Sequence, residues 1–363
     1  MIATLLLLGL AVAAFVGYNI GGATTGPAFG PAVGAGVLSK LGAAALMSVC
    51  FMAGAWTLGR RVVDTLGREL VSAPGVFTLE SSIVVLFFIG TALFVGNYVG
   101  VPASTSMTAV GAIAGLGVAT EALDWTVMGE IVVWWLVAPV VGFWVSAVVG
   151  RYLYRRIDRW VAIQQSDGPL LTLERAGPVP TPVRGPDTSR RELAGAAVVV
   201  GIGCLMAFSS GTSNIANAIA PLYGAGVEMT PLLLLGGAAV AVGAFTIARR
   251  TLDTIGDDLT SLPLTAAIVV AVVASSIVIL LSAIGIPASF VIVATMSVVG
   301  LGWGRATRSV SLAREAPTAD GPATADLFDP GTTGRVLLMQ SVVPLIATVG
   351  AYVTFRVLFA VAW

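Results

Sequence analysis

Two stretches of this sequence repeat one pattern. Residues 54–70 read GAWTLGRRVVDTLGREL and residues 243–259 read GAFTIARRTLDTIGDDL, with the same residue at nine of seventeen positions. A second pair of matching stretches is FGP at 29–31 and IAP at 219–221. The matches occur in the same order in the two halves. The chain is therefore an internal duplication that extends over nearly its whole length.

The composition is that of a protein embedded in lipid. Of 363 residues, 57% are hydrophobic and 10% are charged, whereas a soluble domain is about 45–50% apolar and about 25% charged. This excludes a soluble enzyme, a nucleic-acid-binding protein and a disordered chain, and it predicts the lipid bilayer as a partner. With no histidine and a formal charge of zero, we expect neither a histidine metal site nor a nucleic-acid partner. Cys50 and Cys204 lie in apolar runs, without a disulfide or metal-binding pattern.

Eight segments are long and apolar enough to cross a bilayer as helices, which takes about 20 residues each. We interpret the first of them as a span and not as a cleaved signal, because no positively charged region precedes it. The sequence thus predicts a multi-pass protein of the plasma membrane. The predicted spans are 2–20, 40–58, 81–99, 126–149, 193–210, 230–248, 263–284 and 337–361.

Four further segments are apolar but interrupted by glycine and proline: 21–39, 101–119, 211–229 and 286–304. Irregular backbone within a membrane is tolerated only where protein or a cavity surrounds it. We therefore predict re-entrant or discontinuous helices at these places. Two of the segments match across the halves, since GVPAS at 100–104 corresponds to GIPAS at 285–289. The predicted fold class is all-α, a polytopic helical bundle of two repeats. Inverted repeats are favoured, and parallel ones stay open.

The charged residues divide the chain into three parts. Residues 151–192 contain eight arginines and five acidic residues, which favours a cytoplasmic linker under the positive-inside rule. Membrane repeat 1 then covers 1–150, and membrane repeat 2 covers 193–363 with a polar loop at 305–335.

Duplicated halves with interrupted segments at matching places indicate a secondary transporter. The alternatives are a passive anion channel and a non-transporting membrane scaffold, whose glycines would serve close helix packing. Packing alone does not explain why hydroxyl and amide side chains cluster at the same interruptions. We therefore predict a transporter without enzymatic activity.

Uncharged polar residues at the interruptions are the candidate binding groups. Helix N-termini carry unpaired backbone N–H groups and the positive end of the helix dipole. Hydroxyl and amide groups beside them complete an anion site without lysine or arginine. The predicted substrate-binding residues are Thr24, Thr25, Ser104, Thr105, Ser106, Thr212, Ser213, Asn214, Asn217 and Ser289. The candidates for a coupling ion are Asn19, Thr24, Asn214 and Asn217.

These segments resemble signatures of the inorganic phosphate transporter (PiT) family. GTSNIANAIAP at 211–221 is similar to the family pattern G-x-N-D-V-A-N-A-I-G-P, and GGATTGPAFGP at 21–31 resembles a diverged first copy. GVPASTSMTAVGAIAG at 100–115 resembles G-x-P-V-S-T-T-H-A-I-V-G-A-I-x-G. The duplicated R-R-x-x-D-T-x-G stretch resembles the family pattern R-x-V-x-x-T-I-G.

The resemblance implies a helical bundle of inverted repeats that moves phosphate, or in some members sulfate, with sodium or protons. It also implies a homodimer. Asn217 matches a signature asparagine, and Ser104 and Thr105 match the first oxyanion-binding Ser-Thr pair. Ser289 matches the serine of the second pair.

The signature aspartates are absent, because their positions hold Thr24 and Asn214. The signature histidine is replaced by Met107. Hard cations prefer charged oxygen ligands, so the loss of both aspartates argues against tight Na⁺ binding. Na⁺ stays the candidate coupling ion, and no cofactor is expected. Phosphate is the favoured substrate. Sulfate is the alternative, since a site without a carboxylate suits a fully ionised dianion.

Two further sets of residues lie at predicted span ends. Arg–Asp pairs three or four residues apart are common helix-surface contacts, so we interpret the first set as an interfacial brace, with gating or anion attraction as the alternative. That set comprises Arg60, Arg61, Asp64, Arg249, Arg250 and Asp253. Tryptophans cluster around one span and are interpreted as interfacial residues: Trp125, Trp134, Trp135, Trp144 and Trp160.

Overall fold

In the computed structural model, the described residues are 2–99, 104–161, 171–174, 181–184, 188–247, 263–315 and 330–361. They form ten helices and one short β-hairpin, which confirms the predicted all-α class. The elements of the first half are α1 (Ile2–Gly34), α2 (Lys40–Gly54, continued by Ala55–Gly59, Arg60–Asp64 and Thr65–Glu69), α3 (Leu79–Val99), α4 (Thr105–Ala119) and α5 (Trp125–Val148, continued by Val149–Leu153 and Tyr154–Val161). Next come β1 (Leu171–Glu174), β2 (Thr181–Arg184), α6 (Arg190–Gly224), α7 (Met229–Thr246), α8 (Leu264–Ala283), α9 (Phe290–Glu315) and α10 (Pro330–Val361).

Eight of the described helices are long and apolar enough to cross a membrane. Seven of them coincide with predicted spans. The eighth, Phe290–Arg308, lies in a segment predicted to be interrupted. The predicted span 337–361 lies within α10. The helix α4 has 15 residues and is shorter than these eight helices.

The turns after α1 and α6 have the same geometry. Gly36 and Gly226 have φ of +66° and +92°, a region that glycine adopts without steric cost. The N–H of Val37 bonds the Ala32 carbonyl, and the N–H of Val227 bonds the Leu222 carbonyl. In each case the glycine and the hydrogen bond after it close the end of the helix in the manner of a Schellman turn. Both halves therefore end their first helix with the same device.

Glycines let helices of opposite halves approach closely, and they do so reciprocally. A Cβ on Gly21 of α1 would overlap the Val240 carbonyl oxygen of α7. At the corresponding place in the other half, a Cβ on Gly211 of α6 would overlap the Phe51 carbonyl oxygen of α2. Phe51 and Val240 are counterparts in the duplicated stretches. The duplication is thus visible in the packing of α1 on α7 and of α2 on α6.

Two of the four predicted interruptions are wrong. Residues 21–34 and 211–224 lie inside α1 and α6, which are continuous helices of 33 and 35 residues. Their glycines serve close packing, and the prolines inside these helices (Pro27, Pro31 and Pro221) do not end them. Neighbouring helices can satisfy the backbone groups that a proline frees in a membrane bundle.

The other two interruptions separate α3 from α4 and α8 from α9. Asp124, just after α4, donates its N–H to the Leu70 carbonyl at the end of α2 (3.0 Å), the same end from which α3 departs. In the second half, Thr265 at the start of α8 donates to the Asp158 carboxylate (2.8 Å), and Arg308 of α9 donates to the Arg151 carbonyl (2.9 Å). Each helix pair therefore enters and leaves at one end of the bundle, as a hairpin.

The predicted linker has helix at both margins, because α5 continues to Val161 and α6 begins at Arg190. Its described middle is the antiparallel pair β1–β2, in which Leu171 faces Arg184. The predicted polar loop is likewise bordered by helix, with α9 continuing to Glu315. The domain boundaries themselves stay predictions.

Candidate functional site

A small cavity of about 70 Å³ lies between α1, α4, α6 and α9. One water needs roughly 10–15 Å³ of such space, so the cavity has room for several waters or one small tetrahedral ion. The side chains around it are uncharged. They are Ala23, Thr24, Pro27, Ala28, Ser104, Thr105, Met206, Ser210, Asn214, Ser289, Phe290 and Val291. Five of the ten predicted substrate-binding residues thus line one cavity: Thr24, Ser104, Thr105, Asn214 and Ser289.

The N-termini of two hairpin helices meet at this cavity. Ser104 is the N-cap of α4, where its hydroxyl oxygen accepts a hydrogen bond from the Met107 N–H (3.3 Å). Ser289 directly precedes Phe290, the first residue of α9. The first N–H groups of a helix have no partner within it, and they carry partial positive charge. Two such ends at one uncharged cavity favour an anion.

Asn214 organises the polar wall of the cavity. Its Oδ1 accepts hydrogen bonds from the Thr105 hydroxyl (2.6 Å) and from the Asn217 amide (3.2 Å). Its Nδ2 donates to the Ser210 hydroxyl oxygen (2.9 Å). Asn217 is fully buried behind it, and its own Oδ1 has no hydrogen-bond partner among the described residues. An amide therefore connects α4 and α6 at the position where the family signature has an aspartate.

Ser106 and Ser213 lie behind the wall and bind protein groups. Their hydroxyl oxygens are 3.1 Å apart, and they lie 3.1 and 2.9 Å from the Ala288 carbonyl oxygen. Ser213 also accepts the Ala288 N–H at 3.3 Å. These two predicted substrate-binding residues are 1% exposed and join α4, α6 and the segment before α9.

The threonines on α1 and α6 bond their own helices. Thr25 and Thr212 are fully buried, and their hydroxyls donate to the Gly21 and Ser209 carbonyls (2.7 and 2.8 Å). Neither is among the residues that line the cavity. Thr24 does line it, but its hydroxyl donates to the Ile20 carbonyl (2.7 Å), so it presents only lone pairs to the cavity.

Of the predicted coupling-ion residues, Asn19 lies apart from the cavity, at the α1–α3 contact. Its Nδ2 donates to the Phe15 carbonyl (2.9 Å), and its Oδ1 accepts from Asn97 (3.2 Å). Thr24 and Asn214 line the cavity, and Asn217 lies next to it. Within the described residues, no group of three or more His, Cys, Asp or Glu side chains could hold a metal. A cation bound here would therefore have neutral oxygen ligands.

Two of the predicted brace residues on α2, Arg61 and Asp64, contact neighbouring helices. Arg61 donates to the Ala283 carbonyl at the end of α8, and the Asp64 carboxylate accepts from the Tyr223 hydroxyl (2.8 Å). The Arg60 guanidinium lies 4.8 Å from the centre of the Trp56 ring, which belongs to α2 itself. The contacts of Arg61 and Asp64 join α2 to α8 and α6. Their repeat counterparts Arg249, Arg250 and Asp253 lie outside the described residues.

Sequence reasoning missed two residues at the site. Ser210 lines the cavity, and the signal was present, since it belongs to the polar run Ser209–Asn214. Trp135 was interpreted as interfacial, but its indole N–H donates to the Pro287 carbonyl beside the cavity (2.8 Å). No local pattern distinguishes Trp135 from its neighbours.

Comparison with known proteins identifies similar chains. A family model described as the phosphate transporter family matches residues 20–319. The sulfate permease CysP of Bacillus subtilis is 29% identical over 293 residues, which cover 80% of this chain and 75% of that protein. A solved structure described as "The sodium-dependent phosphate transporter" superposes with a TM-score of 0.71 at 19% identity, covering 99% of this chain and all of that one. At this identity, the structural likeness speaks for the fold alone.

Proposed function

Because the chain belongs to the phosphate transporter family, we propose that it is a secondary-active transporter that moves inorganic phosphate across the membrane by alternating access. One observation carries the proposal. The N-termini of α4 and α9, with Ser104 and Ser289, meet at one uncharged cavity between the two halves of the bundle. The family and the structural relative are transporters, and we assign no enzymatic activity and no cofactor.

The cavity offers hydrogen-bond donors to an anion. Ser104 and Ser210 each accept a hydrogen bond from a neighbouring N–H group, which leaves their hydroxyl protons available to the cavity. Ser289 adds a third hydroxyl, and the first N–H groups of α4 and α9 add backbone donors. In surroundings of low polarity these donors bind an anion more strongly than they would in water. Thr105 and Asn214 hold the wall, and Asn217 supports Asn214 from behind.

We also propose that the halves are inverted repeats. The reciprocal glycine contacts of α1 with α7 and of α2 with α6 support a duplication. The hairpins α3–α4 and α8–α9 each begin and end at one side of the bundle. Only three elements, α1, α2 and α5, then cross between the start of the first half and the start of α6. An odd number of crossings reverses the second half relative to the first.

Na⁺ is the proposed coupling ion, with protons and uncoupled transport as the alternatives. The structural relative is described as sodium-dependent. Among the described residues at the cavity the available ligands are neutral oxygens, and they include Asn217 Oδ1, which has no hydrogen-bond partner there. Neutral ligands bind a hard cation more weakly than carboxylates do, so we expect a low apparent affinity for Na⁺.

Sulfate is the second candidate substrate, and one observation favours it. None of the described residues that line the cavity has a carboxylate, so hydrogenphosphate finds no strong acceptor for its proton among them, whereas sulfate has no proton to place. The Bacillus subtilis relative is named a sulfate permease.

The cellular setting completes the proposal. We place the protein in the plasma membrane with residues 151–192 in the cytoplasm, because arginines outnumber acidic residues there. A homodimer is proposed from the family resemblance.

Uptake into proteoliposomes tests the function. Labelled phosphate and labelled sulfate are offered with and without inward Na⁺ and H⁺ gradients, and we expect saturable, gradient-driven uptake of phosphate. Ser104→Ala combined with Asn217→Ala should abolish it. Gradient-independent, non-saturable flux would indicate a channel, and the absence of uptake of either anion would indicate a scaffold.

A further inference from the structure

The segment between α8 and α9, residues 284–289, is irregular backbone inside a helical bundle. Gly285 has a φ of +83° and Pro287 lacks an N–H. Ile286 and Ala288 are each 3% exposed. Buried backbone groups outside a helix need partners from elsewhere. The neighbours of this segment therefore decide where it lies.

Side chains from four helices hold carbonyl groups at this segment. Arg61 of α2 donates to the Ala283 carbonyl. Trp135 of α5 donates its indole N–H to the Pro287 carbonyl at 2.8 Å. Ser213 of α6 and Ser106 of α4 bond the Ala288 carbonyl. We call Trp135, Ser213 and Ser106 the carbonyl clamp.

What the clamp holds is the binding group that follows it. Ser289 comes directly after Ala288 and lines the main cavity together with Phe290, the first residue of α9. Ser289 also borders a second cavity of about 10 Å³, whose lining includes Met107, Trp134 and Trp135. Ser289 thus has free space in two cavities, and the bonds at Pro287 and Ala288 keep it at the main one.

Of the two helices that are copies of each other, α1 and α6, only α6 has a hydroxyl at the clamp position. When residues 29–31 are aligned with 219–221, Ser213 corresponds to Ala23. An alanine side chain can make no hydrogen bond. The bond that Ser213 makes to the Ala288 carbonyl therefore has no possible counterpart from Ala23 on α1.

We propose that the carbonyl clamp, with Trp135 as its outermost member, positions Ser289 and the N-terminus of α9 for the transported anion. This inference rests on the proposed function. Trp135 does not line the main cavity, so it acts through the segment and not by touching the anion. Ser106 and Ser213, which the sequence suggested as ligands of the substrate, act in the same indirect way.

The first test compares Trp135→Phe with Trp134→Phe in the full-length protein in proteoliposomes. Both variants lose an indole N–H beside the small cavity, but only Trp135→Phe loses the bond to Pro287. One hydrogen bond corresponds to about a fivefold change in an equilibrium constant. We expect Trp135→Phe to raise the KM for phosphate about fivefold, with Vmax and thermal stability near those of the parent, and Trp134→Phe to leave KM unchanged. Equal KM values in the two variants would overturn the proposal.

The second test does not depend on transport. Ser289→Cys is introduced into a chain in which Cys50 and Cys204 are replaced by alanine, and its labelling by a thiol reagent is timed. Adding Trp135→Phe or Ser213→Ala should change the labelling rate severalfold, whereas adding Trp134→Phe should not. If labelling of the Ser289→Cys chain changes as expected but the parent protein transports neither anion, the clamp stands and the proposed function fails. If phosphate is transported and labelling is the same in all variants, the function stands and the clamp is wrong.

Discussion

The walls that α1 and α6 contribute to the cavity differ, although the two helices are copies of each other. They have nearly the same length, 33 and 35 residues, and they share the turn glycines Gly36 and Gly226 and the reciprocal glycine contacts. On the cavity side, α1 presents Ala23 and Thr24, whereas α6 presents Ser210 and Asn214. The comparison shows that the packing of the duplicated scaffold stayed equal while the polar chemistry became concentrated on α6. Breaking the scaffold should therefore affect both halves alike, and changing polar groups should affect them unequally.

The largest loss of stability is expected from substitutions of the glycines at which two helices pack. Gly21→Ala and Gly211→Ala each place a methyl group against a carbonyl oxygen of a facing helix. Overpacking of this kind costs roughly 3 kcal/mol, so both variants should lose most of the folded, monodisperse protein in detergent. The measurement is size-exclusion chromatography with a thermal-unfolding series.

Gly201→Ala is the matched control for the packing variants. Gly201 lies on α6, and a Cβ there meets no atom within 4 Å. Its replacement should leave the yield unchanged or raise stability slightly, because alanine favours a helix by about 1 kcal/mol over glycine. If Gly21→Ala were tolerated while Gly211→Ala was not, the packing of the two halves would not be equivalent.

Among single substitutions that leave the protein folded, Asn214→Ala should produce the largest loss of transport. It removes the acceptor of Thr105 and Asn217 and the donor to Ser210. At about 1 kcal/mol for each of these three hydrogen bonds, uptake should fall roughly 150-fold.

The counterpart on α1 sharpens that result. Thr24→Val removes a hydroxyl that donates to its own helix, so uptake should fall less than about threefold, the effect of less than one hydrogen bond. Initial rates of labelled phosphate uptake compare the two variants. Equal losses would mean that α1 contributes to the site as much as α6 does.

The sequence predicts the duplication and the two hairpin interruptions, but not the side-chain contacts that distinguish α1 from α6. The duplicated stretches 54–70 and 243–259 identified the repeat, and the Pro-Ala-Ser triplets identified the two hairpin interruptions. Glycine and proline alone led to wrong interruptions at 21–39 and 211–229. The sequence does not distinguish a glycine that ends a helix from a glycine that lets two helices approach closely. Which threonine hydroxyls bond their own helix, as Thr25 and Thr212 do, depends on side-chain rotamers and helix orientation. The position of Trp135 depends on a contact between residues far apart in the chain.

Asn214→Asp tests whether the neutral wall of the cavity discriminates between sulfate and phosphate. A carboxylate at this position repels a dianion, but it can accept the proton of hydrogenphosphate. We expect sulfate uptake to fall roughly tenfold more than phosphate uptake, a difference of about 1.4 kcal/mol. Competition between the two labelled anions at neutral pH measures it. An unchanged ratio would show that residue 214 does not face the anion.

Ser210→Ala should have a smaller effect, because it removes one of several donors. In the alignment of 29–31 with 219–221, its counterpart on α1 is Ile20, so the first half has no equivalent hydroxyl. We expect KM for phosphate to rise about threefold, which corresponds to a weak hydrogen bond. Thr212→Val serves as control, since that hydroxyl bonds Ser209 and does not line the cavity. A similar rise in KM for both variants would argue against a direct role of Ser210.

The smallest effect on transport should come from the contacts of α1 with α3 and of α6 with α8. Asn97 donates to the Asn19 backbone carbonyl and to its Oδ1 (3.0 and 3.2 Å). At the corresponding place, Ser209 donates to the Ser275 carbonyl at 3.3 Å. Asn97→Ala should lower the free energy of unfolding by about 1 kcal/mol. Ser209→Ala should lower it by about half as much, since Ser209 loses a single, longer bond.

The Na⁺ dependence of uptake should be the same in Asn97→Ala and in the parent protein, because Asn19 keeps its own bond to Phe15 and lies away from the cavity. A shift in the Na⁺ concentration for half-maximal uptake would instead place a coupling-ion site at Asn19, and the ion site would then lie on α1 while the anion site lies on α6.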